Sequence, residues 1–283
     1  MPKSRTIEQN IKLIEGLHSR LRLKEVIEDG EKSATIDSLF KDDDILSGLE
    51  TAAKKLKTSS HEVKIKILRA FLSQIDFYGF ANENVTYVDW CSGRGELAYT
   101  ICHLIGSKGV RVDRKFAKRN IIEDFFYCTR QHNIPTVTLD LTHIDYDGNV
   151  PPIPRNTKGK VAYLGVHCCG SLTDLIARYG QLQKRHPDFI GILPCHHEKM
   201  DFKLSTLASE LRLSREIFDV LIRAAGDLKS ADGYHEAARK AVDIIDYYRA
   251  ENLKLFGYDA KVIRLYPVNV SQFNHMIIGV KSR

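Results

Sequence analysis

No stretch of 18 consecutive apolar residues occurs in this chain, so nothing in it is predicted to span a bilayer. Its first residues, Met1-Pro2-Lys3-Ser4-Arg5-Thr6, offer no apolar region of the kind a secretory leader needs. Cysteine is sparse: six in 283 residues do not make a disulfide framework, and two of them, Cys168 and Cys169, are adjacent. That usage points to a reducing compartment, the cytoplasm, and to no disulfide-linked partner. Charge of one sign is not concentrated either. The net charge of +6 comes from basic residues scattered along the chain, which permits a polyanionic partner without requiring one. What is present is ordinary for a soluble globular protein: 43% hydrophobic and 28% charged residues, on a chain long enough to bury a full α/β core with a helical appendage.

Residues 1–80 read as helical. Thr6-x-x-Gln9 is a capping box ahead of Ile7, Ile11, Ile14 and Leu21, and Ser59-x-x-Glu62 is another ahead of Ile67, Leu68, Phe71, Leu72 and Ile75. A polar stretch from Glu28 to Ser38 interrupts them. This segment is expected to act as a helical cap, on the substrate or over a cofactor, or else as plain support. From about residue 84 strands and helices alternate, the signature of a largely parallel sheet. Strands are expected at 85–89, 109–113, 135–140, 161–166 and 189–194, with helices at 95–105, 116–131 and 172–183. The segment 147–160, rich in proline and glycine, reads as a loop. Ala260–Tyr266 and Met276–Val280 are too close for a crossover helix and must form an antiparallel pair. The expectation is thus an α/β fold with a seven-stranded, mostly parallel sheet and a C-terminal antiparallel hairpin. Its domain spans 81–283, with a helical insertion at about 199–232 that should overhang the carboxyl ends of the strands.

Val88-Asp89-Trp90-Cys91-Ser92-Gly93-Arg94-Gly95-Glu96-Leu97-Ala98 reads as a buried strand turning through glycines into a helix. Two cofactor classes use such a turn. An acid at the strand end, Asp89, would repel a dinucleotide pyrophosphate, whereas the cationic amino group and sulfonium of S-adenosylmethionine (SAM) would welcome it. Asp113 closes the next strand, eighteen residues after Gly95, and suits ribose hydroxyls. Asp140 closes a third and suits an adenine amino group. The competing reading is that these acids cap the helices that follow. The expected cofactor set is Asp89, Cys91, Gly93, Gly95, Asp113, Arg114 and Asp140.

Two polar clusters follow later strands: His167-Cys168-Cys169-Gly170-Ser171-Leu172-Thr173-Asp174 and Cys195-His196-His197-Glu198-Lys199-Met200. Both should lie at the carboxyl edge of the sheet. His167, His196 or His197 would serve as a general base or positioner, since imidazole titrates near neutrality. Cys195 after Pro194 is a candidate covalent nucleophile. Histidine and cysteine also suit zinc, but the spacing does not follow a usual structural zinc pattern, and no metal is expected. The remaining reading is packing, above all for Cys168 and Cys169.

No Asn/Asp-Pro-Pro-aromatic segment follows the fourth strand, and no Lys-Asp-Lys-Glu tetrad can be assigned. The order Asp89-x-Cys91-x-Gly93-x-Gly95-x-Leu97, Asp113-Arg114, His167-x-Cys169-Gly170-x-x-Thr173-Asp174 and Pro194-Cys195-His196-His197 resembles a class I SAM-dependent methyltransferase superfamily. That superfamily includes the eukaryotic tRNA acceptor-stem ribose 2′-O-methyltransferase of the Trm type, methyltransferase-like relatives and bacterial relatives. The resemblance covers about residues 84–202. It departs from the tRNA enzyme at Leu193-Pro194 and at Met200, where a cysteine is expected, and lacks its zinc fingers. It implies a Rossmann-like fold, SAM as cofactor and methylation of RNA, with tRNA the possible substrate. The competing functions are a protein or small-molecule methyltransferase, which predicts a closed pocket, a non-catalytic SAM-binding partner, and an NAD-binding protein. An RNA enzyme predicts an open basic groove joining Lys115, Lys118, Arg119 and the 155–160 loop.

Overall fold

Val85–Trp90 is buried at every position, which a strand achieves when both faces of its sheet are covered. The computed structural model describes residues 6–40, 61–93, 95–115, 134–141, 159–182, 185–203, 213–226, 235–267 and 274–282. The expected helix at 116–131, Ser59 of the second capping box and most of the 147–160 loop lie outside these residues.

Among the described residues the strands are β1 (Glu28–Asp29), β2 (Val85–Trp90), β3 (Lys108–Asp113), β4 (Thr136–Thr138), β5 (Lys160–Cys169), β6 (Phe189–Cys195), β7 (Tyr258–Arg264) and β8 (His275–Lys281). They form one sheet in the order β1-β7-β8-β6-β5-β2-β3-β4. Only β8 runs against its neighbours, pairing antiparallel with both β6 and β7. This is a Rossmann-like layout, mostly parallel, with the C-terminal antiparallel hairpin where the short link demanded it. The difference from expectation is an eighth strand. Glu28 and Asp29, inside the polar interruption, pair parallel with Ile263 and Arg264 at the β7 edge, and Gly30 N–H donates to Arg264 O at 2.7 Å. Two residues are too few to show a period of two, so this strand leaves no pattern in the sequence.

Strand alternation divides the core into two layers. Val88, Trp90, Val161, Tyr163, Ile190, Ile192 and Ile277 face one side; Tyr87, Ala162, Leu164, Phe189, Leu193, Met276 and Ile278 face the other. The first layer is covered by α1 (Ile7–Arg20), α6 (Leu172–Leu182), α7 (Arg215–Gly226) and α8 (His235–Leu255). The second is covered by α3 (Ala34–Leu39), α4 (His61–Phe77) and α5 (Glu96–Ile105). The short α2 (Leu23–Val26) follows α1. Thr6 and Gln9 form the expected reciprocal capping box. Helix α8 is the one crossover the sheet requires between β6 and β7. Helix α7 belongs to the excess and packs beside α8 and against the turn His197–Lys199 at the end of β6.

Candidate functional site

The strand order reverses between the parallel neighbours β2 and β5: the chain moves outward to β3 after β2 and to the other side, to β6, after β5. The crevice between the two departing connections is the usual ligand position in open α/β sheets. Backbone strain concentrates there. Among the described residues four non-glycines have positive φ, and three of them, Cys91 (φ 55°), His167 (φ 62°) and His196 (φ 48°), stand just past or near the ends of β2, β5 and β6. Such conformations persist only where the surrounding structure imposes them.

The glycine turn is clamped from β3. Buried Arg111 donates through Nη2 to Gly93 O (3.1 Å) and through Nη1 to Tyr99 Oη (3.2 Å). Gly95, at φ 81°, lies against it: a Cβ there would come within 2.5 Å of Arg111 Nε. Gly95 is also the N-cap of α5 and has no side chain to offer the helix. Asp89 supplies the cap instead, accepting from Ala98 N–H at 3.2 Å. Asp113 Oδ2 accepts from Gly93 N–H at 2.8 Å and its Oδ1 from Lys115 N–H at 3.0 Å. Asp89 therefore caps the helix that follows it, as the capping alternative held, while Asp113 braces the turn and the helix expected after β3 lies outside the described residues. Both acids also face cavities.

Two cavities flank the turn and share Cys91. The first, about 390 Å³, is walled by Asp89, Ser92, Gly93, Glu96, Leu97, His167 and, from α4, Lys64, Ile67 and Leu68. The second, about 320 Å³, is walled by Asp113, Arg114, Asp140, Leu141, Cys169 and Lys199 among others. Each is of ligand size. Arg114 Nη1 lies 4.0 Å from Asp140 Oδ2. Burial pushes the Asp89 carboxyl up to about 7, against the opposing pull of the Ala98 N–H and the Arg111 charge. Lys64 and Glu96 join across the wall of the first cavity, Lys64 Nζ donating to both Glu96 carboxylate oxygens at 2.8 and 3.1 Å. Lys64, Glu96 and Arg111 were not singled out from the sequence. For Arg111 a signal existed: a charged residue between Val110 and Val112 in a buried strand.

The adjacent cysteines separate. Cys168 is fully buried, its Sγ 3.9 Å from Trp90 O, and packs as a core residue. Cys169, across the bulge at His167, turns outward into the wall of the second cavity. It stands opposite Cys195 in the β5–β6 register, with the sulfurs 3.0 Å apart. His196 Nδ1 lies 3.4 Å from Cys169 Sγ and 3.2 Å from Cys195 Sγ. The neighbouring Cys195, opposed by burial, lowers the Cys169 thiol to about 6, whereas Cys169 and burial raise Cys195. Cys195 is 2% exposed, and that burial works against the exposed thiolate a covalent nucleophile requires.

The histidines also separate. His167 walls the first cavity and His196 meets the cysteine pair. His197 lines neither cavity. It is 2% exposed, with Nε2 3.0 Å from Asp246 Oδ1. Asp246 also accepts from Arg249 (3.0 Å) and lies 3.1 Å from His275 Nδ1, and Arg249 continues to Asp174 (3.0 Å) and to Gly170 O (2.8 Å). Gly170, at φ 55°, sits so close to the loop that a Cβ would lie 2.5 Å from Lys199 O. Thr173 Oγ1 donates to Cys168 O at 3.0 Å. Gly170, Thr173 and Asp174 thus hold the two loops together.

Most of the expected basic groove lies outside the described residues. Lys118, Arg119 and residues 155–158 lie outside the described residues. Lys160 opens β5 and therefore stands at the amino edge of the sheet, with Nζ 4.7 Å from the Phe80 ring centroid, opposite the cavities. A segment that feeds a parallel strand arrives at its amino end. Among the described residues no helix is long and apolar enough to cross a membrane, and Cys91, Cys102, Cys168, Cys169 and Cys195 are free.

No family model and no curated protein matches the chain. Among solved structures it is similar to magnesium protoporphyrin IX methyltransferase (ChlM) from Synechocystis PCC 6803 with bound SAH, at 13% identity over 80% of this chain and 87% of that one, with a TM-score of 0.43. The methyltransferase domain of a bacterial Hen1 matches at 11% identity over 78% and 100%, with a TM-score of 0.44. The fibrillarin/Nop5p complex matches at 10% identity over 76% and 80%, with a TM-score of 0.40. The fold assignment rests on the strand order itself.

Proposed function

We propose that this chain is a SAM-dependent methyltransferase acting on an oxygen or nitrogen of structured RNA, tRNA-like in kind. The observation that carries the cofactor is the pair of cavities meeting at Cys91, with an acid at each station. Asp89, Gly93 and Gly95 would hold the amino-acid end, Asp113 the ribose hydroxyls, and Asp140, braced by Arg114, the adenine edge. SAM bound there supplies an electrophilic methyl group on a sulfonium. A carboxylate at Asp89 favours a cationic ligand and disfavours a pyrophosphate. His167, on the wall of the first cavity, would take a proton from the acceptor or aim it. Residues 1–80 would act as a cap, because Lys64, Ile67 and Leu68 of α4 form one wall of the first cavity. RNA as the acceptor is supported by the resemblance over residues 84–202 and by the net basic charge.

Incubating the protein with methyl-labelled SAM and separate total RNA, protein and metabolite fractions tests the reading. Label is expected in RNA of tRNA size. Label confined to protein or metabolites would overturn the substrate, and no measurable SAM binding by calorimetry would overturn the cofactor.

A further inference from the structure

From Cys169, Cys195 and His196 we infer a binding site for a thiophilic divalent cation of the zinc type, bordering the second cavity and independent of the methyl-transfer reading. The donor atoms of these three residues all lie within 4.8 Å of one another. The sequence spacing hides the site, because two ligands leave one strand together and the third comes from its neighbour. Register brings them together: Cys169 and Cys195 are direct partners across β5 and β6. His196, at φ 48°, folds its ring back toward both sulfurs.

The distances suit a tetrahedral ion. Bond lengths of about 2.3 Å to sulfur and about 2.0 Å to nitrogen imply sulfur–nitrogen separations of about 3.5 Å. The observed values are 3.2 and 3.4 Å. The same geometry asks for sulfurs about 3.8 Å apart, against 3.0 Å here, so the thiols must open by roughly 0.8 Å, within reach of small side-chain rotations. The backbone beneath is held before any ion arrives. Gly170 N–H donates to Cys195 O (3.0 Å), Lys199 N–H to His196 O (2.9 Å) and Asp201 N–H to Ser171 Oγ (2.7 Å). Arg249 grips Gly170 O, and the adjacent His197 is anchored by Asp246. An imidazole turned onto a cysteine pair is what separates a metal site from a mere disulfide pair, which needs no third donor. Three protein ligands leave one coordination position to water or to a ligand atom, the arrangement of reactive rather than purely structural zinc sites. Since Cys169 walls the second cavity, such a ligand atom would come from that side.

The test is metal content and cobalt spectroscopy on the full chain, purified under reducing conditions and equilibrated with buffered zinc. Roughly one equivalent of zinc is expected, and cobalt should give a near-ultraviolet sulfur-to-metal charge-transfer band. Cys169→Ser and His196→Gln should each weaken zinc binding by at least about tenfold, while Cys102→Ala, buried elsewhere, should keep it. Circular dichroism of the half-buried Cys169→Ser variant guards against loss by misfolding. Less than about 0.1 equivalent in the folded wild-type protein, undiminished binding in folded Cys169→Ser, or an intact mass lower by two hydrogens from a Cys169–Cys195 disulfide in reducing buffer would each overturn the site.

Discussion

At the scale of single residues, Asp89 holds two duties in tension. Its carboxyl caps α5 through Ala98 N–H and also walls the first cavity. Burial raises its pKa to about 7 from an ordinary value near 3.8. The folded chain therefore keeps a proton that the unfolded chain has released. Stability falls as pH rises from about 4 to about 7, by a few kcal/mol at most, and is level above that window. A cationic cofactor reverses the preference, because it interacts best with the ionised acid. SAM affinity should tighten by up to roughly tenfold per pH unit between pH 6 and 7 and level off by about pH 8. Asp89→Asn should bind more weakly at pH 8, show no such slope, and resist urea better than wild type at that pH without ligand. Calorimetry at several pH values reads the first two; a flat wild-type profile would remove Asp89 from the amino-group contact.

At the scale of elements, the loop after β6 gives neighbouring histidines opposite work. His197 sits in a buried ionic cluster with Asp246, Arg249 and His275, while His196 turns to the cysteine pair. Removing His197 leaves a cavity and takes one partner from the buried Asp246, which keeps Arg249 and His275, at a cost of about 3 kcal/mol. His197→Ala should lose about that much in urea unfolding. His196→Ala should change stability by no more than about 1 kcal/mol and weaken zinc binding instead. Equal losses of stability would show that the loop is a single structural unit. The sequence placed both histidines at the carboxyl edge, because strand alternation and the turn after Pro194 are local patterns. It could not divide them, since the partners that decide their roles, Asp246 and His275, are 49 and 78 residues from His197. The strand-end acids, the glycine turn and the C-terminal hairpin were legible for the same local reason. Helix α8 hides its importance: Asp246 and Arg249 look like solvent-facing charges until β8 and α6 close over them.

At the scale of the whole molecule, that cluster ties α1 and β8 to the carboxyl edge of the sheet. His18 of α1 lies 2.9 Å from Asp243 Oδ2, and His275 of β8 bridges Asp243 and Asp246, each at 3.1 Å. From Asp246 the cluster reaches His197 directly and reaches Gly170 through Arg249. Burial alone would push His275 down, but its hydrogen bonds to the two aspartates outweigh burial and lift it to about 9. Contacts with His18 and then His275 hold Asp243, and contacts with His197, His275 and Arg249 hold Asp246, well below the usual carboxylate range despite their burial. The signs follow directly. His275 binds its proton more tightly folded than unfolded, so its contribution is complete below about pH 6.5 and is lost as pH climbs through about 9. The aspartates contribute above about pH 4 and lose that contribution in acid. Stability from this cluster should peak between about pH 4 and 6.5 and fall by about 3 kcal/mol on the alkaline side. Urea midpoints at pH 6, 8 and 9.5 measure the fall, and His275→Gln should flatten it. Because α1 hangs on the same aspartate, its amides should exchange faster at pH 9.5 than chemical exchange alone accounts for. An alkaline loss that persists in His275→Gln would assign the titration elsewhere and cut this link between the N-terminal helix and the site.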